Sequence, residues 1–378
     1  MSILLFGDFA VPYWGCIEID SLKSITEKIT VIANLEGPFI TRNEVEAFDK
    51  YKINLCADRD CVNYLKDVNI NYLSFANNHI LDFKQTLQET VSILKNEGID
   101  FFGTFEKPFI EFNDGGKKVC IWGAVSFITG RTSNKHDKIN EFNPIRLFHQ
   151  IRYYKKKNPE VYIILYLHWG YEFAMYPQPA DREWALRAID IGVSVVIGVH
   201  PHKVQGIEKY KNGIVVYSLG NYILPRSELT RPHLSDENRI IHSDLLHLPK
   251  IGVEIDTLNN EILIHDLFYD KDSSQLVYRG ETNDYQVNSL PFANFSFKQY
   301  RKWYKGQKYK GEQRSRINIH PTFYSYFNFY NAKFHLAKLY LFAFRLIRRL
   351  LISMRFHTPA SYHDLTSQHE QNNQGLNM

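Results

Sequence analysis

The segment YIILYLHWGYE, residues 162–172, carries the pattern on which the fold prediction depends. Its first six residues are all apolar or aromatic, whereas a half-exposed strand would alternate apolar and polar residues. The run therefore predicts a strand that is covered on both faces and ends just before His168. Six more runs of this kind are predicted strands, at residues 2–6, 30–33, 70–75, 118–125, 193–199 and 214–218.

Helical patterns lie between several of these strands. Residues 85–96 and 181–191 repeat apolar side chains about every three to four positions. Each pattern is followed by a glycine, Gly98 or Gly192, which can cap a helix in the left-handed conformation. Strands that alternate with helices predict an α/β or layered α+β domain.

The cysteine content and the N-terminus bear on the cellular compartment. The chain has 378 residues and only four cysteines, which are too few and too dispersed for a disulfide framework. The first residues lack the basic region and cleavage site of a secretory signal peptide. No stretch reaches the roughly 18–20 apolar residues that a transmembrane helix needs. We therefore expect a cytoplasmic protein with reduced thiols.

Charge is distributed unevenly along the chain. Residues 298–355 hold 14 basic residues and one acidic residue, so this stretch carries +13 and the remainder −9, given a net charge of +4. Composition predicts a folded domain at residues 1–268, an aromatic and basic linker region at 269–330, an amphipathic basic helix at 331–356 and a disordered tail at 357–378. Within the linker region, residues 270–288 are polar and are predicted to form a loop.

Short polar clusters follow the predicted strands, where layered α/β folds place their sites. They lie at residues 7–8, 34–37, 77–79, 168–170, 200–202 and 218–221. Their carboxylate, amide and imidazole groups are ligands that Mn²⁺, Zn²⁺ or iron accept, and none of the clusters contains a cysteine. Each cluster alone has an ordinary interpretation, such as a helix cap at Asp8 or a turn at Asn77. Their repetition at successive strand ends predicts a metal site.

Four motifs in a fixed order resemble the CapA family of bacterial capsule and poly-γ-glutamate synthesis, which is similar to the calcineurin-like metallophosphoesterase superfamily. The motifs are NNHILD at residues 77–82, HWGYE at 168–172, GVHPH at 198–202 and YSLGN at 217–221. The resemblance covers residues 3–224, with a structural continuation to about residue 268. It implies a metallophosphoesterase-like β-sandwich flanked by helices, to which this chain adds a basic C-terminal helical extension.

The resemblance also implies a site with two divalent metal ions, Mn, Zn or Fe. It assigns Asp8 and His202 to the first metal, Glu36 to a bridging position, Asn78, His168 and His200 to the second metal, and His79 to the role of general acid. Two ions that share a carboxylate can lower the pKa of a bound water and neutralise the charge that builds on a phosphoryl or acyl centre. His79, which is not a ligand, can then protonate the leaving group.

One position departs from the superfamily. Its opening motif is Asp-x-His, and the third position of that motif is Ala10 in this chain. The first metal would thus lose a nitrogen ligand, which puts its tight occupancy in doubt. His202 would then either bind this metal or contact the substrate.

Further residues are expected to contact an anionic substrate, namely Asn77, Glu172, Asn221 and Arg131. Glu172 has two alternatives, since it can orient an imidazole or be an exposed loop carboxylate. For Arg131 the alternative is an ordinary surface cation on a loop.

The basic helix predicted from Lys333 to Phe356 has an apolar side and a side of lysine and arginine without acidic residues. This pattern is typical of a helix that lies on a membrane surface, where clustered cations meet anionic lipids. The alternatives are a helix docked on the domain or on a second subunit, and nucleic-acid binding. Nucleic acid is the least favoured partner because no groove-reading motif accompanies the basic residues.

Taken together, these features predict a cytoplasmic metal-dependent hydrolase, peripheral at the inner membrane face, that takes part in the synthesis of a capsular or poly-γ-glutamate-type polymer. Its substrate would be a phosphoester or another anionic polymer intermediate. The competing interpretation is a non-catalytic scaffold or binding component of a polymer synthesis or export complex. Ala10 and the basic aromatic tail favour the second interpretation.

Overall fold

The structure is a computed structural model, and it describes residues 2–11, 22–41, 54–84, 86–126, 139–224, 248–270, 275–285 and 290–309. Backbone contacts divide the chain into two units, Met1–Ser315 and Arg316–Met378. All described residues belong to the first unit, so the predicted basic helix and tail lie outside them. Within the described ranges, no helix is long and apolar enough to cross a membrane.

The described residues form strands and helices that alternate over much of the chain. The strands are β1 (Ser2–Phe9), β2 (Thr30–Leu35), β3 (Phe39–Ile40), β4 (Ala57–Asp58), β5 (Ile70–Ser74), β6 (Asp100–Phe102), β7 (Phe109–Asp114), β8 (Lys117–Val125), β9 (Tyr162–His168), β10 (Val195–Val199), β11 (Val204–Tyr210), β12 (Gly213–Leu219), β13 (Asn221–Ile223), β14 (Lys250–Asp256), β15 (Glu261–Asp270) and β16 (Gln275–Glu281). The helices are α1 (Lys23–Thr26), α2 (Cys61–Asp67), α3 (Thr86–Asn96), α4 (Pro144–Lys157), α5 (Pro179–Asp190) and α6 (Phe297–Tyr309).

Two mixed sheets contain most of the strands. The first has the order β16-β15-β14-β1-β2-β5-β6, with β13 paired to the end of β1. It is parallel from β1 to β6, and β14 to β16 extend it in antiparallel fashion. The second has the order β11-β12-β10-β9-β8-β7, in which β8, β9, β10 and β12 are parallel. Each sheet thus has a parallel centre whose strands end at a common edge.

The two sheets pack face to face, and helices cover the outer faces. On β1, Leu5 packs between the sheets in the same cluster as Ile164 of β9. Phe6, the next residue, points the other way and joins the cluster that contains Leu94 of α3. On the second sheet, α5 packs against β10 and β12. Both faces of the central strands are therefore buried, which confirms the layered α/β prediction of a β-sandwich flanked by helices.

Two segments differ from the sequence-based expectations. The loop predicted at residues 270–288 is wrong over Gln275–Glu281, which forms β16 and pairs with β15. Leu276 and Tyr278 pack on the core of the first sheet. The apolar run at residues 276–278 is too short to stand out in a polar stretch. Helix α6 was not predicted either, because its many basic residues resembled a linker. The segment boundaries derived from composition stay predictions.

Close backbone contacts at two glycines hold the strand ends together. A Cβ atom on Gly7 would lie 1.9 Å from the carbonyl oxygen of Gly220, where β1 meets β13. A Cβ atom on Gly198 would lie 2.0 Å from the carbonyl oxygen of Tyr217 and 2.3 Å from Nε1 of Trp169. Only glycine allows the backbones to approach this closely. Gly7 directly precedes Asp8, and Gly198 lies two residues before His200, so both contacts border the candidate site.

Gly198→Ala is expected to destabilise the fold by about 1–3 kcal/mol or more, since the new methyl group meets backbone atoms that cannot move aside. The matched control is Gly306→Ala in α6, where nothing lies within 4 Å of the added Cβ. There the free energy of unfolding should rise by about 1 kcal/mol through helix propensity. Urea denaturation measures both changes, and a Gly198→Ala protein as stable as wild type would contradict the packing described here.

Candidate metal centre

The predicted polar clusters meet at one edge of the sandwich. Asp8 is near the end of β1, Glu36 directly follows β2, and residues 77–79 follow β5, all in the first sheet. His168 ends β9 and His200 follows β10 in the second sheet. Since the parallel strands of each sheet end at the same edge, side chains from both sheets converge there. The structure brings Glu36, His168 and His200 into one buried cluster.

The Asp8 carboxylate lies at the junction of the two sheets and is fully buried. Its Oδ1 accepts a hydrogen bond of 2.7 Å from Nδ2 of Asn34, and its Oδ2 accepts one of 3.0 Å from the backbone N–H of His200. Burial raises the pKa of the Asp8 carboxyl, whereas His202 and these two hydrogen bonds act to lower it. The bonds fix the carboxylate in place beside the imidazoles.

Glu36 differs from Asp8 in the surroundings of its carboxylate. It is fully buried, and neither of its oxygens has a hydrogen-bond partner among the described residues. Burial raises the pKa of the Glu36 carboxyl well above its usual range, and the nearby carboxylates of Asp8, Glu172 and Asp82 raise it further. In such surroundings the ionised carboxylate requires a compensating positive charge. A divalent cation bound between these groups would supply it.

His168 links the two sheets through its imidazole. Its Nε2 lies 2.6 Å from Oδ1 of Asn78, and its Nδ1 lies 3.4 Å from Nδ2 of Asn34. It also approaches Asp8 at 3.7 Å and Glu36 at 3.6 Å. Burial holds the pKa of His168 well below its usual range, and the imidazole of His200 lowers it further. His168 is therefore neutral and has the lone pair that a metal ligand needs.

His200 and His202 both have positive backbone φ angles, 95° and 57° respectively. Such angles are uncommon outside glycine and are concentrated at functional sites. His202 Nδ1 lies 2.8 Å from Oδ1 of Asn221 and 3.6 Å from Oδ2 of Asp8. Because an amide oxygen only accepts hydrogen bonds, His202 donates this bond through Nδ1, which leaves Nε2 as its candidate metal-binding nitrogen.

Two groups of side chains could each hold a metal ion, and Glu36 belongs to both. One comprises Asp8, Glu36 and His168, and the other comprises Glu36, His200 and His202. Within each group the candidate ligand atoms lie within 4.8 Å of one another. The carboxylate and imidazole donors fit Mn²⁺, Zn²⁺ or iron. A shared Glu36 accords with the bridging role implied by the family resemblance, but His168 is grouped with Asp8 rather than with His200.

Ala10 occupies an apolar environment next to the cluster. It is buried and packs with Leu55 and Leu224. Two imidazoles from other strand ends lie near Asp8, His168 at 3.7 Å and His202 at 3.6 Å. His168 shares a ligand group with Asp8, whereas His202 shares one with His200 and not, as the resemblance had implied, with Asp8.

His79 has a partner that sequence reasoning missed. Its Nδ1 lies 2.6 Å from Oδ2 of Asp82, a fully buried carboxylate that also accepts a hydrogen bond of 3.0 Å from the backbone N–H of Leu55. Asp82 is the last residue of the NNHILD motif, and the sequence pattern assigns no role to it. The spacing of three residues was the available signal, since it allows a carboxylate to turn back onto an imidazole.

Two buried asparagines support the cluster. Asn34 donates to Asp8, and its own Oδ1 accepts a hydrogen bond of 3.2 Å from Nδ2 of Asn77. Asn77 Oδ1 in turn accepts from the backbone N–H groups of His79 and Ile80, at 3.0 and 2.8 Å. These bonds engage both ends of the Asn77 amide in shaping the loop that carries His79. Asn34 is the first residue of the polar cluster at residues 34–37, and the sequence pattern does not distinguish it from its neighbours.

The remaining residues predicted to contact substrate have different positions. Asn221 is fully buried and bonded to His202. Glu172 is exposed, makes no hydrogen bond to an imidazole within the described part of the chain, and lies near enough to Glu36 to raise its pKa. Arg131 lies outside the described residues. Their contacts with substrate stay predictions.

Comparison with known proteins places this arrangement in a family. Residues 20–226 match the model of the bacterial capsule synthesis protein PGA_cap. The capsule biosynthesis protein CapA of Bacillus anthracis is 29% identical over 230 residues, which are 56% of this chain and 56% of that protein. The PGA biosynthesis protein CapA of Bacillus subtilis (strain 168) is 25% identical over 274 residues, 66% of this chain and 70% of that protein. The match thus spans little more than half the length of the first relative.

Solved structures with related folds are more distant. A phosphatase from Mycoplasma pneumoniae superposes with a TM-score of 0.40 at 13% identity, covering 74% of this chain and 94% of that one. A 5'-nucleotidase precursor from Thermus thermophilus gives a TM-score of 0.38 at 12% identity, covering 74% of this chain and 55% of that one.

The family assignment rests on the family-model match, which covers more than half of the chain and contains every candidate ligand except Asp8. The relatives named CapA confirm the resemblance that the four motifs predicted. The chain belongs to the bacterial capsule synthesis protein PGA_cap family.

Proposed function

We propose that this chain is a metal-dependent hydrolase of phosphoester type that acts in the synthesis of a capsular or poly-γ-glutamate-type polymer. One observation carries the proposal: Glu36 is fully buried without a hydrogen bond among the described residues, and it is common to two groups of potential metal ligands. Family membership supports the biosynthetic setting, since the Bacillus subtilis relative is named for PGA biosynthesis.

The ligands would be Asp8, Glu36, Asn78, His168, His200 and His202, which together would hold two divalent ions. When bound, such ions neutralise charge on a phosphoryl or acyl centre and make a bound water more acidic. The protein supplies fixed geometry, because Asn34 donates a hydrogen bond to Asp8 and Asn221 accepts one from His202, and these bonds orient both side chains in advance.

His79 would supply the proton that the leaving group needs. Asp82 accepts hydrogen from Nδ1 and stabilises the imidazolium, so the proton available for transfer is on Nε2. In hydrolysis of a phosphoester, water forms the new P–O bond and the old P–O bond breaks. The proton from His79 goes to the departing oxygen, and the water's proton replaces it afterwards.

The substrate is expected to be an anionic intermediate of polymer synthesis, with Asn77, Glu172, Asn221 and Arg131 as candidate contacts. Asn77 and Asn221 would act by shaping the site, since both are engaged in hydrogen bonds within it. Glu172, which is exposed on the loop after β9, would contact a cationic or hydroxyl group rather than a phosphate.

A non-catalytic scaffold is the second candidate function, and one observation favours it. Ala10 takes the place of a histidine that the superfamily uses, and it packs against Leu55 and Leu224. A site that binds one ion or none would serve to bind a polymer intermediate without turning it over.

Turnover by the Mn²⁺-loaded protein should separate these functions. We expect hydrolysis of both an aryl and an alkyl phosphate, with His79→Gln lowering kcat for the alkyl phosphate about 10²–10⁴-fold. The kcat for the aryl phosphate should fall much less, because its leaving group needs little protonation. Metal content should not change, since His79 belongs to neither ligand group.

The matched control is His149→Gln, a half-buried histidine on α4, which should leave both rates unchanged. A protein that binds two ions but turns over neither substrate would support the scaffold. Equal decreases in kcat on the two substrates would show that His79 is not the general acid.

We also propose that the segment from Lys333 to Phe356, which lies outside the described residues, holds the protein at the inner membrane face. Its apolar side and its uncompensated cations support this placement. A chain that ends before Lys333 should then move from the membrane fraction to the soluble fraction of a cell lysate. Unchanged partitioning would refute the membrane role of this segment.

A further inference from the structure

Residues 290–309, here called the strap, pack on the domain beyond the end of the family match at residue 226. They comprise a turn and helix α6. Gly206 of β11 faces Leu290 so closely that a Cβ atom there would lie 2.1 Å from a Leu290 methyl carbon. Sequence composition had placed the strap in a linker region, but its contacts are those of a docked element.

Arg182 of α5 binds the strap to the domain. Its side chain is 2% exposed and forms a bidentate ion pair with Glu208 at 2.9 and 2.6 Å. The same guanidinium donates to the carbonyl oxygens of Phe295 and Phe292, at 3.0 and 3.3 Å. It also lies over the ring of Tyr300, 5.0 Å from its centroid. Because the buried guanidinium donates hydrogen bonds both to Glu208 and to the strap, it holds the strap in one position.

The strap in turn holds the rim loop, which we define as residues 170–178 between β9 and α5. The Tyr300 hydroxyl donates a buried hydrogen bond of 2.6 Å to the carbonyl oxygen of Pro177. The Trp303 ring packs edge-on against Tyr176 with centroids 4.8 Å apart. Phe292 also contacts the Tyr176 ring, at 6.1 Å.

The rim loop reaches the candidate metal centre through Phe173. This residue has a φ angle of 60°, and its backbone N–H donates to the carbonyl oxygen of Pro201 at 2.8 Å. Its ring lies 5.7 Å from the imidazole of His202. Gln205 adds a hydrogen bond of 2.9 Å from Nε2 to the carbonyl oxygen of Ala174. Among the described residues, a continuous series of contacts therefore connects the strap to His202.

We propose that the strap is a positioning element of the metal centre, in which Tyr300 and Trp303 hold the rim loop and thereby fix the His202 imidazole. The effect on the metal rests on the proposed function, whereas the hold on the rim loop does not. Outer partners that fix a ligand's orientation typically change metal affinity by about 10–100-fold when removed. The strap contacts His202 only through the rim loop. Disrupting the strap should therefore lower metal affinity by a factor near the lower end of that range.

The test compares the full chain with Trp303→Ala and with the milder Tyr300→Phe. Hydrogen exchange of the rim loop should accelerate in both variants. In calorimetric titration with Mn²⁺, one of the two binding events should weaken by about tenfold. The other should change less, because among the described residues no hydrogen bond or ion pair joins Asp8 or His168 to the rim loop. Trp303→Phe should restore both readouts, since an aromatic ring can again pack on Tyr176.

The controls are Lys302→Ala on the exposed side of α6 and Tyr153→Phe on α4, a residue that is 56% exposed. Neither should alter exchange or Mn²⁺ affinity. Rim-loop exchange that stays at the wild-type rate in both Trp303→Ala and Tyr300→Phe would overturn the proposal. If the wild-type protein binds no Mn²⁺, the proposed function fails, but the exchange measurement still decides whether the strap holds the loop. Faster exchange with unchanged Mn²⁺ affinity would overturn the link to His202.

Discussion

The site depends on one constraint, which is the complete burial of the Glu36 carboxylate. Glu36 lies at the centre of the polar cluster with no hydrogen bond among the described residues and with other carboxylates nearby. An isolated buried charge costs several kcal/mol even after relaxation. The described neighbouring groups place no hydrogen bond on the Glu36 oxygens and so do not offset this cost. Cations bound by Glu36 and its neighbours would attract the carboxylates that otherwise repel one another.

The fold explains how such a costly cluster is assembled. Asp8 and Glu36 belong to one sheet, whereas His168 and His200 belong to the other. The hydrophobic core between the sheets fixes the distance between these two sets of ligands. The binding geometry is thus determined by packing free energy spread over the whole sandwich, and not by the polar residues themselves. A site built in this way can tolerate repulsion at its centre.

Much of this could be predicted from the sequence, and the failures have physical causes. The positions of the polar clusters could be predicted, because a continuous apolar run in a single sequence indicates a strand buried on both faces and the clusters follow the ends of such strands. The role of Asp82 was missed, since a carboxylate three residues from His79 is compatible with many side-chain directions. The strap was missed because its docking depends on Arg182, more than 100 residues earlier in the chain. Composition records no such pairing, and a basic aromatic stretch without visible periodicity resembles a linker.

The metal content of a Glu36 variant tests the central claim most directly. After loading with Mn²⁺ and removal of excess ion, elemental analysis should find about two ions per chain in the wild-type protein. Glu89→Gln, an exposed position on α3, should match it. A folded Glu36→Gln protein should retain neither ion tightly, since both ligand groups lose their common member. Retention of two ions by Glu36→Gln would contradict the account.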